Sequence, residues 1–283
     1  MAQKKSRLFP VAFLAAKATL AALKLTNHEG GTLPGFIAEG IDPAFLGDIA
    51  KPEQIVFITG TNGKTTTNNL LNDLLADNGY QTVTNRVGGN ISSGFASSFA
   101  KNATWKGTSK TKLAVMEFDE LSGPRIFPYL QPDILSVTNL FRDTFSRSAT
   151  PDYVFDVMDK GIPASTHLIL NADDMISCRL APQCTHRTYY SIARLAEDTA
   201  EPVGIVSDLT ACPKCGGKLK WDYAHLRHLG HAACEECGYT NPTPDYEVIS
   251  VEPETGKFVV KEHCHEGAPT YEYKLNSYSI VNL

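Results

Sequence analysis

The run Ile58-Thr-Gly-Thr-Asn-Gly-Lys-Thr-Thr-Thr67 limits what this chain can fold into more than any other stretch. It follows an apolar, strand-like segment, Gln54–Ile58. It precedes a segment in which Leu70, Leu71, Leu74 and Leu75 recur at helical spacing and Gly79 is placed as a C-terminal cap. A strand, a glycine-bent loop and a helix in that order make a phosphate cradle. Gly60 and Gly63 let successive N–H groups converge where the helix presents its positive end. Lys64 would neutralise the outer phosphates of a nucleoside triphosphate, and the Thr65 hydroxyl would ligate magnesium. The usual pattern places glycine at position 58, where this chain has Ile58, so the cradle is the shorter Gly60-Thr61-Asn62-Gly63-Lys64-Thr65-Thr66.

With 283 residues the chain can bury a full core as one large domain or two smaller ones. Its formal charge of −5 and pI near 5.9 give no global attraction to nucleic acid or to an anionic surface. The sequence shows one basic cluster, at the N-terminus, where Lys4, Lys5 and Arg7 precede an apolar run that Lys17 interrupts. That run reads as an amphipathic helix and not as a secretory signal, and no stretch approaches the roughly 18 uninterrupted apolar residues of a membrane span. The expectation is a cytoplasmic protein that binds no nucleic acid and meets the inner membrane face peripherally through this helix.

Four of the seven cysteines form two pairs, Cys212-Pro-Lys-Cys215 and Cys234-Glu-Glu-Cys237, separated by 18 residues. Each C-x-x-C turn aims two thiolates at one ion, so the spacing predicts a structural zinc ribbon with no open coordination position. His225, His228 and His231 lie between the pairs and read as solvated ribbon residues. Cys178, Cys184 and Cys264 read as small buried or idle thiols.

Beyond the cradle, Lys112–Glu117, Asp133–Asn139 and His167–Asn171 are short apolar runs ending in polar residues, and Pro151–Lys160 reads as a helix. This pattern predicts an α/β fold, a mainly parallel sheet with helices on both faces, with Glu117, Asn139, Asp143 and Asn171 gathered at strand ends. Residues 1–50 read as a helix and a glycine-rich linker. Residues 51–283 read as one nucleotide-binding domain with the ribbon inserted at about 205–242. Tyr246–Val251, Lys257–Val260 and Tyr271–Leu275 read as a β-rich section.

The loop GTNGKTT, the run TNRVGGN at Thr84–Asn90, Glu117, VTNLFRD at Val137–Asp143 and NADD at Asn171–Asp174 together resemble the central ATP-binding domain of Mur ligases. The GGTLPG turn and the inserted ribbon resemble the branch of that family formed by the ligase subunits of lipid II isoglutaminyl synthases. The resemblance implies that Gly60–Thr66 hold ATP, that Thr65 and Glu117 share magnesium, and that Asn139, Asp143 and Asn171 lie near the nucleotide. Lys64 and Glu117 become the catalytic candidates. Thr144 stands where Mur ligases at large carry a metal-linked histidine, so a second magnesium is not carried over.

The implied reaction is ATP-dependent amidation of the α-carboxylate of D-glutamate in the lipid II stem peptide, through an acyl phosphate. Ammonia would come from a separate glutaminase subunit, GatD. The alternatives are another Mur or folylpolyglutamate-type amide ligase, or a non-catalytic ATP- and zinc-binding scaffold. The final Ser277–Leu283 resembles the point where the family's central domain enters a helix. On that reading the chain lacks the C-terminal domain and is inactive alone.

Overall fold

The computed structural model describes residues 5–28, 31–87, 89–141, 151–203 and 208–275. They fall into two compact units, Met1–Thr59 with Lys64–Ser136 and Lys160–Thr166, and Gly60–Gly63 with Val137–Asp159 and His167–Leu283.

The first unit begins with α1 (Phe9–Leu25), whose Pro10 sits in the first turn, where its missing N–H breaks no helical bond. One face of α1 buries Phe9, Ala12, Phe13 and Ala16, and Phe9 stacks on Phe45 at 5.5 Å. The stretch expected to be a linker is helical instead: α2 (Leu33–Ile41) and α3 (Phe45–Asp48) follow at once. The Leu-Pro-Gly signal that reads as a turn is a helix start, with Pro34 in its first positions. A methyl group at Gly35 would lie 2.0 Å from the Ser93 carbonyl, so glycine is what lets α2 press its backbone against α5 (Ser92–Asn102).

β1 (Gln54–Thr59) pairs in parallel with β3 (Leu113–Glu117), as does β2 (Thr82–Val83), giving the order β4-β1-β3-β2 once β4 (Ile134–Val137) is added. Phe57 lies 5.1 Å from Phe95 and 5.6 Å from Phe118, and these buried rings form the centre of the core. Glu120–Ser122 and the short α6 (Gly123–Ile126) follow β3.

The helix after the cradle, α4 (Lys64–Asp77), differs from its apolar pattern. Leu70 and Leu74 are exposed, whereas Asn68 and Asn72 are buried. Hydrogen bonding outweighs hydrophobicity on this face. Asn72 Nδ2 donates to the carbonyls of Asn68 (2.8 Å) and Val115 (3.3 Å), and its Oδ1 accepts from Thr82 Oγ1 at 2.6 Å. A buried amide so satisfied ties helix to strands without a desolvation penalty left over.

The second unit holds α7 (Pro151–Asp159) and strands in the order β11-β10-β9-β6-β5. Here β5 is His167–Asn171, β6 Arg187–Ile192, β9 Tyr246–Glu252, β10 Lys257–Glu262 and β11 Thr270–Lys274. β6 is parallel to both β5 and β9, while β9, β10 and β11 are antiparallel, so the β-rich section is a continuation of the sheet. The sequence pattern predicts no strand at Arg187–Ile192. That segment is anchored by the Arg187 guanidinium, which donates to the carbonyls of Cys178, Leu180, Ala181 and Cys184. A separate hairpin, β7 (Leu219–Leu226) and β8 (Leu229–Cys234), carries the cysteine pairs at its base.

Candidate functional site

Ile58, the residue in place of the usual glycine, is buried within β1, so the loop starts at Gly60. Gly60 has φ +123° and Gly63 φ +82°, both in the region that favours glycine. Within the second unit the loop is held by strand-end residues. Thr61 N donates to the Asn139 carbonyl (2.8 Å), and Asn62 N donates to Asn139 Oδ1 (3.0 Å). Thr138 Oγ1 donates to the Asn62 carbonyl at 2.6 Å, and Thr61 Oγ1 exchanges bonds with the backbone of Phe141. Asn171 Nδ2 donates to the Thr138 carbonyl at 3.1 Å while its Oδ1 accepts from Asp173 N. Asn139 and Asn171 thus fix the backbone that shapes the loop. Asp143 and Thr144 lie outside the described residues.

Within the first unit, Lys64 opens α4 and its Nζ meets Glu120 Oε1 at 2.9 Å. Thr65 Oγ1 donates to Glu117 Oε2 at 2.7 Å, and Asn90 Nδ2 donates to Glu117 Oε1 at 3.0 Å. Asn85 bonds the Glu117 backbone through both its N–H and its carbonyl, fixing the end of β3. The two residues expected to share magnesium are therefore adjacent, and they line a small cavity of about 160 Å³ with Asn85, Asn90 and Asn68. Thr66 is exposed on the first turn of α4.

Glu120 is the participant that sequence reasoning misses, because a carboxylate three residues past a strand end has no pattern to mark it. Burial raises its pKa, and the Lys64 cation beside it partly offsets that effect.

In the second unit the four cysteine sulfurs all lie within 4.8 Å of one another. Cys212 Sγ is 3.7 Å from Cys237 Sγ, and Cys215 Sγ is 3.5 Å from Cys234 Sγ. Four sulfurs at about 2.3 Å from a tetrahedral ion stand about 3.8 Å apart, whereas a disulfide would bring two of them to about 2.05 Å. The turns are built alike. Gly216 (φ +78°) and Gly238 (φ +69°) donate N–H groups back to the Cys212 and Cys234 carbonyls. Backbone N–H groups of Lys214, Gly217 and Cys237 point at the sulfurs of Cys212, Cys215 and Cys234 at 3.4 Å. The bond from Cys237 N–H brings the Cys234 thiol down to about 7. This donor set fits a structural zinc.

The histidines between the pairs correct the expectation of solvated residues. His225 is buried, with Nδ1 2.8 Å from Asp198 Oδ1 and Nε2 3.0 Å from the Ile192 carbonyl. His228 has no exposed side-chain surface; its ring lies 4.5 Å from that of Phe141, and Nε2 is 3.3 Å from Asp174 Oδ1. Asp174 in turn accepts from Leu140 N and Ile176 N. The hairpin tip thus packs against the same segment that holds Thr61, and Asp174 is buried there with hydrogen-bond donors around it. Only His231, paired with Asp222, remains at the surface among the three. Cys178 and Cys184 are buried and Cys264 is exposed.

Known proteins share this sequence pattern and fold. The profile of the Mur ligase middle domain matches residues 58–207. The chain is 36% identical over 241 residues to the MurT subunit of lipid II isoglutaminyl synthase (glutamine-hydrolyzing) of Staphylococcus aureus (strain COL), covering 83% of this chain and 53% of the relative. It is 34% identical over 227 residues to the MurT subunit of Streptococcus pneumoniae, covering 79% of this chain and 49% of that one. The chain spans about half the length of the curated relatives it matches. In fold it is similar to a pseudomurein peptide ligase type C from Methanothermus fervidus, with a TM-score of 0.60, 24% identity and coverage of 85% of this chain and 45% of that one. The phosphate-loop motif, the mainly parallel sheet and the profile match agree: the chain belongs to the Mur ligase family.

Proposed function

We propose that this chain is the nucleotide-binding part of an ATP-dependent carbon–nitrogen ligase acting in peptidoglycan synthesis. Its reaction would amidate the α-carboxylate of D-glutamate in the lipid II stem peptide to D-isoglutamine. Glutamine would be the amido donor and a glutaminase subunit, GatD, the partner. The observation that carries the reading is the pairing of Thr65 with Glu117 at 2.7 Å, one residue past a lysine at the start of the loop helix. A hydroxyl and a carboxylate so placed can hold a magnesium ion, which when bound would draw charge from the phosphates of ATP.

The chain's own contributions follow from chemistry. Gly60–Thr66 would orient the triphosphate through backbone N–H groups. Lys64 would leave Glu120 for the outer phosphates as negative charge builds there. Asn90 and Asn85 would keep Glu117 aimed. Asn139 and Asn171 would hold the loop in shape, and Asp143 completes the set implied by the family. A carboxylate is a poor acyl donor, and phosphorylation to an acyl phosphate supplies the leaving group that ammonia then displaces. Cys212, Cys215, Cys234 and Cys237 would hold zinc in a structural role. Residues 51–283 would form the family's central domain with the ribbon at about 205–242, and the protein would work in the cytoplasm.

The test is an amidation assay on the whole ligase of which this chain is proposed to be the nucleotide-binding part, with MgATP, glutamine, the glutaminase subunit and lipid II, separating D-isoglutamate from D-isoglutamine stem peptides by mass. ATP-dependent amidation is the expected result. Addition of an amino acid instead would move the assignment to another Mur or folylpolyglutamate-type ligase, and nucleotide binding without any amide product would favour the scaffold.

A further inference from the structure

Helix α1 has two apolar faces, and only one is buried. Opposite Phe9, Ala12, Phe13 and Ala16, the residues Leu8, Val11, Leu14, Ala18, Ala21 and Leu25 recur three and four apart and are exposed, Leu14 at 60%. Beside this stripe stands Trp105, 71% exposed, its ring 6.1 Å from that of Phe13 and 5.6 Å from Lys17 Nζ. Lys17 Nζ donates to the Ala103 carbonyl at 2.5 Å, which fixes the Trp105 loop against the helix.

Cations surround this surface. Lys5, Arg7 and Lys24 on or before α1 and Lys101, Lys106 and Lys110 around Trp105 are all exposed. No carboxylate occurs from Lys5 to His28 or from Lys101 to Lys112. At its margins Asp48 accepts from Ser6 N and Glu53 lies 3.8 Å from Lys112. The loop is thus a second basic cluster, not visible as such in a chain of net charge −5 until the fold sets it beside α1.

We propose that the outer face of α1 and the Trp105 loop lie in the interface of an anionic lipid bilayer. Protein interfaces are depleted in lysine at their cores, whereas an interfacial helix combines an uncharged stripe, flanking lysines and a tryptophan at its edge. α1 is about 25 Å long, and no helix among the described residues is long and apolar enough to cross a membrane, so the helix lies on the surface and does not span it. The proposal is independent of the amidation reading, since binding needs no turnover.

The experiment is vesicle flotation of residues 1–283 with phosphatidylcholine alone and with phosphatidylcholine containing phosphatidylglycerol. It is combined with Trp105 emission in a Trp221→Phe background. Binding to the anionic vesicles alone, a blue shift of Trp105, and weakening by salt are expected. Lys106→Glu should weaken binding about fivefold or more, and Leu14→Glu about tenfold or more. Leu14 is exposed, so the helical circular dichroism of Leu14→Glu should match wild type. Equal flotation with neutral vesicles, no flotation, or full binding by Leu14→Glu would overturn the proposal. A concentration-dependent dimer that buries Trp105 without lipid would also overturn it and assign the face to a second copy.

Discussion

Replacing Gly60 by alanine should damage the loop far more than the same change at Gly79, although both glycines have positive φ. At Gly79 (φ +83°) an added methyl group meets nothing within 4 Å, so only the left-handed backbone is strained, at about 1–2 kcal/mol. At Gly60 (φ +123°) the methyl would stand 2.1 Å from Thr138 Oγ1 and 2.9 Å from both the N and the O of Asn139. Two of those atoms are backbone and cannot rotate away. Strain of about 1–3 kcal/mol and overpacking of about 1–3 kcal/mol then give about 2–6 kcal/mol. The displaced Thr138 hydroxyl also loses its bond to the Asn62 carbonyl. Urea unfolding of both variants, followed by MgATP titration, checks this. Gly79→Ala should bind nucleotide as wild type does, and Gly60→Ala at least tenfold more weakly. Equal destabilisation and equal binding in the two variants would show that the loop does not depend on its close approach to Asn139.

Three further outcomes follow. Purified protein should hold about one zinc per chain by elemental analysis, and Cys212→Ser should lose it and loosen the β7–β8 hairpin; metal-free wild type would refute the ribbon. Lys64→Ala removes the cation from buried Glu120 and should cost about 1–3 kcal/mol. Because the folded pKa of Glu120 is raised, that cost should be small in acid and grow as pH rises through the interval above its unfolded value, and adding Glu120→Gln should remove the pH dependence. Burial raises Asp173 from 3.8 to about 7, so folding stability should fall as pH rises between those values, by an amount on the order of 4 kcal/mol. Asp173→Asn can still accept from Ile192 N and should flatten that slope in urea unfolding between pH 4 and 8; an unchanged slope would refute the assignment.

Much of the site was legible because its chemistry is local in sequence. Gly60, Lys64 and Thr65 follow one another, and the two C-x-x-C turns need only their own spacing. Glu117 could be placed because an apolar run ends at it. What stayed hidden depends on partners far along the chain. Glu120 is defined by Lys64, 56 residues away. The burial of Asn72 is set by Val115 and Thr82 and reverses the apolar face of α4. The burial of His228 is set by Phe141 and Asp174, which no local pattern joins to a ribbon. Gly35 read as a turn because a glycine that ends a helix and one that admits a neighbouring helix look the same in one dimension.

The most direct measurement is calorimetric titration of MgATP into wild type and Lys64→Ala. If Gly60–Thr66 form the phosphate cradle, losing the charged bond from Lys64 should weaken binding about 10- to 100-fold. The same affinity in both proteins would contradict the assignment on which the account rests.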